Sequence, residues 1–166
     1  MEDKKNHVFT SIEINASPAE VWSVLTDWDQ LKVWSSSFIG ISTEKMIKGE
    51  KFISYFRNPL TGGVMELEHV CSDYEEGSMF GWSGDIIAKA QDHHIYSVEP
   101  TQNGTTLFKQ EDGLHGPHSR LLNFLAEHQM MAMYKKFNQE LKERVEALFP
   151  KNQAQHYDIK LNNLYK

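Results

Sequence analysis

HIYSVEPTQNGTTLFKQEDGLHG, residues 94–116, holds two alternating runs on either side of a turn rich in Asn and Gly. Alternation of apolar and polar residues marks a half-buried strand, and a short connection such as Thr-Gln-Asn-Gly joins two strands antiparallel. Counting by twos puts His94, Tyr96 and Val98 on one face of the first strand. Thr106, Phe108, Gln110, Asp112 and Leu114 then share a face of the second, unless Gly113 introduces a bulge. Lys109 and Glu111 fall on the other side, where solvent-facing residues belong. Histidine, glutamine and aspartate thus sit among aromatics on the inward side, which fits the wall of a binding cavity as well as an ordinary core.

Upstream of this hairpin the same strand signals repeat. Candidate strands are 38–44, 50–58, 64–74, 78–84, 92–99 and 105–113, separated by KGE, NPLTGG, EEG, SGD and TQNG turns. An earlier run, VFTSIEI at 8–14, makes a further strand. It leads into NASPAEVWSVLTDW, where Ser17 is the N-cap, Pro18 the first helical residue and Glu20 the partner in a capping box. Val21, Val24, Leu25 and Trp28 recur at helical spacing as the buried stripe, and a second short helix follows at 29–34. Downstream, residues 117–149 form one long helix that Pro150 stops. Ala126, Met130, Met133, Tyr134, Phe137, Leu141, Val145 and Leu148 line one side of it. The expected fold class is α+β: a curved seven-stranded antiparallel sheet, two short helices after strand 1, and a long C-terminal helix covering the apolar face. A sheet gripping a helix encloses a concave apolar space of the kind that receives small ligands.

Composition sets limits on function. The chain has 166 residues, a formal net charge of -6 and 40% hydrophobic residues, which is the composition of one globular domain. We expect that domain over residues 1–149, with 150–166 as a tail that is disordered, an extra edge strand, or a subunit contact in a homodimer. Lys and Arg are scattered rather than gathered in a stripe, so nucleic acid is not an expected partner. No apolar run reaches the roughly 18 residues that span a bilayer, and the N-terminus lacks an apolar signal core. Cys71 is the single cysteine, so no intrachain disulfide forms. A cytoplasmic protein is the default expectation.

Several segments resemble the START-like superfamily, also called SRPBCC, whose fold is the helix grip. SIEINASPAEVWSVLTDWDQLKVW, residues 11–34, is similar to that superfamily's passage from strand 1 into its first two helices. GSMFGWSG at 77–84 looks like its central strand, and the hairpin at 94–116 ends, as in the superfamily, on a glycine before the long helix. The polyketide cyclase and dehydrase-like branch is the nearest match. The WSSS at 34–37 departs from the WWGP form of those relatives that activate a heat-shock chaperone. The resemblance implies a helix-grip fold and binding of a small hydrophobic or amphipathic molecule, lipid or polyketide-like. A cyclase or dehydrase enzyme is the first alternative, and a chaperone-activator-like interaction module the second.

Within that frame the expected ligand-binding residues are Trp34, His69, Trp82, His94, Tyr96, Phe108, Gln110, Met130, Met133, Tyr134 and Phe137. If the protein is an enzyme, His94, His69 or Asp112 would act as general acid or base, with Tyr96 and Gln110 orienting carbonyl oxygens. Aromatics and methionines at this spacing equally suit a close-packed core, and both histidines suit a hydrogen-bonded structural role. Cys71 reads as a core residue without a base of its own. No metal is expected: His93 and His94 point to opposite faces, His115 and His118 span a turn, and no Cys pair exists. No cofactor is implied, and no GxSxG or phosphate-cradling glycine pattern occurs.

Overall fold

The computed structural model describes residues 7–58, 61–85, 90–116 and 119–151, with only the backbone given for 120–126. The elements run β1 (His7–Ile14), α1 (Pro18–Leu25), α2 (Trp28–Trp34), β2 (Phe38–Ile41), β3 (Lys51–Arg57), β4 (Val64–Glu75), β5 (Met79–Asp85), β6 (Gln91–Pro100), β7 (Thr106–His115) and α3 (Ser119–Leu148). All seven strands form one antiparallel sheet in the order β1-β7-β6-β5-β4-β3-β2. The helix-grip architecture expected from the sequence is therefore the one observed. Among the described residues no helix is long and apolar enough to cross a membrane.

The hairpin of residues 94–116 is closed by its turn. Thr101 N–H donates to Thr105 O at 2.9 Å, the two threonine hydroxyls meet at 2.6 Å, and Gly104 takes a φ of 72°. That left-handed conformation is what glycine supplies without steric cost. The β6–β7 register then runs unbroken from Pro100↔Thr106 to Gln91↔His115, so Gly113 makes no bulge. Shifts occur instead between Phe38 and Gly40 and between Cys71 and Asp73, where they bend the sheet.

Ser17 caps α1 as its sequence requires: its side chain accepts from Glu20 N–H, and Glu20 Oε2 accepts from Ser17 N–H at 2.7 Å. The first helix is shorter than its apolar stripe implied. Thr26 turns its N–H and its hydroxyl back onto Trp22 O at 3.0 and 2.8 Å, ending α1, and Trp28 opens α2 instead of closing α1. β2 likewise stops at Ile41 instead of continuing to residue 44.

The long helix α3 lies on the concave face and presents Tyr134, Phe137, Leu141 and Val145 to the sheet. Leu148, placed by periodicity on that stripe, is 48% exposed: it is the last residue of α3, and the next residue, Phe149, packs against the core. The Ala126 side chain lies outside the described residues. Polar contacts pin the second half of α3. Glu146 accepts from Asn15 N–H at 2.8 Å, Glu140 from Ser36 N–H at 2.9 Å, and Lys142 donates to Glu13 O at 2.6 Å. Beneath it, Phe38, Phe80, Trp82, Tyr96 and Phe108 interlock with one another, and Phe38, Tyr96 and Phe108 also meet Phe137, with ring centroids 4.9–6.4 Å apart.

Candidate functional site

Pleating sends alternate side chains into the concave face, and the register decides which of them meet. Tyr96, Val98, Thr106 and Phe108 occupy the half of the hairpin nearest its turn. Asp92 and His94 on β6, with Gln110 and Asp112 on β7, occupy the other half, His94 directly opposite Asp112 and Tyr96 opposite Gln110. His94 is 4% exposed and Asp112 3%, so this end of the interior is polar and dry at once.

One buried chain of hydrogen bonds runs from α3 across β7 to β6. Asn138 Nδ2 donates to Thr10 Oγ1 at 3.2 Å, and Asn138 Oδ1 accepts from Gln110 Nε2. Gln110 Nε2 also faces Tyr134 O at 3.3 Å, and Gln110 Oε1 lies 3.1 Å from His94 Nε2. The His94 ring stacks on Tyr96 with centroids 4.4 Å apart and planes 9° from parallel, and meets Tyr134 at 4.8 Å. Burial pushes the His94 pKa below its ordinary value, even though Asp112 and Asp92 pull the other way, so the ring is held neutral.

Beside it, Tyr134 donates its hydroxyl to Asp112 Oδ2. Asp112 Oδ1 is buried and has no hydrogen-bond partner among the described residues. Burial raises the Asp112 pKa, with His94 and the Tyr134 hydroxyl offsetting part of the effect. Both Tyr96 and Tyr134 are held well above the usual phenol range, chiefly by burial.

A second chain crosses β3 to β6. His69, 1% exposed, places Nδ1 2.7 Å from Ser54 Oγ and Nε2 3.5 Å from Asp92 Oδ2, while Gly84 N–H donates to Asp92 Oδ1 at 2.9 Å. The imidazole reaches Asp92 by lying over Gly84: a Cβ there would stand 2.4 Å from His69 Cδ2. Its other face stacks on Trp82 at 5.4 Å.

Most of the residues singled out from the sequence therefore touch one another. His69 and His94 both meet Trp82; Tyr96, Phe108 and Trp34 all meet Phe137. Met130 and Met133 sit half-buried on α3, in the turn before Tyr134. Trp34 Nε1 is a further buried donor with no partner among the described residues. Sequence reasoning passed over Ser54, Asp92, Thr10, Gly84 and Asn138. Asp92 shares the parity of His94, Ser54 that of Phe52, and Asn138 follows Phe137 on the buried side of its helix, so the same counting would have found them. His93, as expected, turns outward and bonds Asp73 at 2.9 Å, and His118 lies outside the described residues. No group of three His, Cys, Asp or Glu side chains able to hold a metal occurs among the described residues.

An open cleft of about 300 Å³ lies elsewhere, between Thr26, Trp28, Glu44, Lys45, Met46, Tyr74 and Glu76. Two of its polar groups are already paired with one another: Glu76 accepts from the Tyr74 hydroxyl at 2.5 Å, and also from Trp22 Nε1 at 3.2 Å. Small-molecule sites are usually apolar with a few convergent polar groups, which describes the concave face better than this cleft.

The sheet order, the capped helix pair and the gripping helix define a START-like, helix-grip protein. More particularly, the chain belongs to the family described as polyketide cyclase / dehydrase and lipid transport, whose model matches residues 5–146. No curated protein matches the chain. Solved structures share the fold at low identity. A protein from Rhodobacter sphaeroides matches with a TM-score of 0.68 and 16% identity, over 89% of this chain and 97% of that one. A hypothetical protein from Helicobacter pylori matches at 0.66 and 14%, over 87% and 90% of the two chains. A START superfamily protein from Mycobacterium smegmatis matches at 0.61 and 16%, over 86% and 99%.

Proposed function

We propose that the protein binds a small hydrophobic or amphipathic molecule, lipid or polyketide-like, between the sheet and α3, in a cytoplasmic setting. The observation that carries this is Asp112 Oδ1, a carboxyl oxygen buried without a partner at the edge of an aromatic wall. A buried polar atom left unpaired destabilises a fold by about 1–3 kcal/mol. Such a cost is tolerable where a ligand supplies the missing partner. The ligand's apolar body packs against Trp82, Tyr96, Phe137 and Met133, and its polar end reaches Asp112 and His94. Methionine is suited to this wall because it adapts to irregular shapes. Native mass spectrometry of the full chain, with and without prior organic extraction, tests the proposal. A bound mass removed by extraction, together with thermal stabilisation on adding apolar compounds back, is the expected result. No bound mass and no stabilisation by any member of an apolar panel would overturn it.

A second reading is favoured by one observation, the Ser54–His69–Asp92 chain, which holds an imidazole between a hydroxyl and a carboxylate. In a cyclase or dehydrase, His69 or His94 would move a proton to or from a carbonyl-bearing substrate. Turnover of a polyketone that disappears in both His69→Ala and His94→Ala, with binding retained, would support catalysis. Binding without turnover would leave the carrier role alone.

A further inference from the structure

We infer that the buried end of the ligand is an uncharged hydroxyl (phenol, enol or alcohol) received jointly by His94 Nδ1 and Asp112 Oδ1. This rests on the ligand-binding reading above and specifies its chemistry. The Tyr134 backbone carbonyl can only accept, so the Gln110 amide atom facing it at 3.3 Å is the nitrogen. The amide oxygen then faces His94 Nε2 at 3.1 Å, and an oxygen there requires Nε2 to carry the proton. In a neutral ring the remaining nitrogen, Nδ1, is a bare lone pair, and no hydrogen bond to it occurs among the described residues. The Tyr134 carbonyl fixes this polarity, and Asn138 follows it, its Oδ1 accepting from Gln110 Nε2 and its Nδ2 donating to Thr10 Oγ1.

Asp112 stands opposite His94 on the neighbouring strand, on the same face. Side chains so placed have Cβ atoms roughly 4.5–5.5 Å apart, within reach of a single ligand group. Its Oδ2 is occupied by the Tyr134 hydroxyl and its Oδ1 is not. A hydroxyl satisfies both open atoms. Burial favours the protonated form of Asp112, and the hydroxyl then accepts from Oδ1–H and donates to His94 Nδ1. An ether cannot donate to either atom. A carboxylate or phosphate brings negative charge against Asp112 and Asp92, and no Lys or Arg is buried among the described residues to balance it. An ammonium is disfavoured by the same dry surroundings that hold His94 neutral.

The test uses a matched series on the full chain by calorimetry: 1-naphthol, 1-methoxynaphthalene, 1-naphthoate and 1-naphthylmethylamine. Naphthol should bind at least about tenfold tighter than the methyl ether, because a site built to bond a hydroxyl rejects the analogue lacking it. Naphthoate should bind most weakly. Asp112→Asn keeps the side-chain shape but points an amide N–H at the ligand while its oxygen accepts from Tyr134. In that variant the naphthol preference should persist, because the amide N–H stands in for the Asp112 O–H and His94 Nδ1 still requires a donor. His94→Phe removes that acceptor and should shrink the preference below about threefold, and His94→Leu repeats the test should that variant misfold. Equal binding of naphthol and its ether, or tightest binding by naphthoate or the amine, overturns this inference while leaving ligand binding intact. A preference unchanged in the His94 variants, or lost in Asp112→Asn, overturns the assignment to these residues. Absence of binding by all four overturns the ligand-binding reading as well.

Discussion

Gly84→Ala probes whether the second polar chain is built as described. The backbone φ at 84 lies outside the left-handed region, so alanine meets no conformational penalty and any cost is steric. The new methyl would stand 2.4 Å from His69 Cδ2 and 2.8 Å from Glu68 O, both inside the separation that real contacts reach. Glu68 O belongs to the strand backbone and cannot retreat. The imidazole is held by Ser54 at 2.7 Å and by the Trp82 stack at 5.4 Å, so it moves only by giving up those contacts. Overpacking of this kind costs about 1–3 kcal/mol, and loss of one buried hydrogen bond adds about 1 kcal/mol. We expect about 2–4 kcal/mol of destabilisation in guanidinium unfolding followed by tryptophan fluorescence. In a His69→Ala background the ring clash is gone and only Glu68 O remains, so the cost of Gly84→Ala should drop by at least about 1 kcal/mol. A cost below about 0.5 kcal/mol in the wild-type background, or identical costs in both backgrounds, would refute the packing of His69 over Gly84.

The remaining expectations concern single groups. Burial raises the Asp112 pKa, so the folded state keeps the proton through a window in which the unfolded chain has lost it. Wild type should therefore lose stability relative to Asp112→Asn as pH rises from about 4, and urea unfolding across a pH series that keeps the difference constant would contradict this. His94 is shifted the opposite way: its folded pKa is lowered, so acidification below about 6.5 should destabilise wild type more than His94→Gln in the same assay. Asn138→Ala removes the acceptor for Gln110 and the donor to Thr10, for an expected loss of about 1–3 kcal/mol in thermal or chemical unfolding; a neutral effect would mean the chain is not formed. Burial first, and then the Glu76 hydrogen bond, push the Tyr74 phenol up to about 12. A fast pH-jump absorbance titration should lose a phenolate step near that value in Tyr74→Phe, and a lost step near 10 instead would count against the contact.

Much of the fold was legible because its signals are local. Ser17, Pro18 and Glu20 announce α1 through groups within one turn of each other, and the capping bonds form between those same residues. The alternation in 94–116 assigns inward and outward faces, and the observed burial follows it from Thr106 to Asp112. Where local pattern and local bonding disagreed, bonding won: Thr26 ended α1 although Trp28 continued its apolar stripe. The candidate site was legible only in part. Parity named His69, His94, Gln110 and Asp112 as inward, but parity says nothing of which inward groups lie level with one another.

By itself the sequence determined the order of elements, the face each strand residue takes and the helix that covers the sheet, because helix and strand periods and capping groups act over a few residues. Only the tertiary structure decided that Ser54, His69 and Asp92 form one chain and that Asn138, Gln110 and His94 form another. Those partners come from different strands and from α3, tens of residues apart in sequence, and their meeting depends on register, on two local shifts in pairing and on the absence of a side chain at Gly84. The orphan oxygen of Asp112 is likewise a tertiary fact. It exists because Tyr134, on the helix that follows β7, reaches one carboxyl oxygen and leaves the other bare.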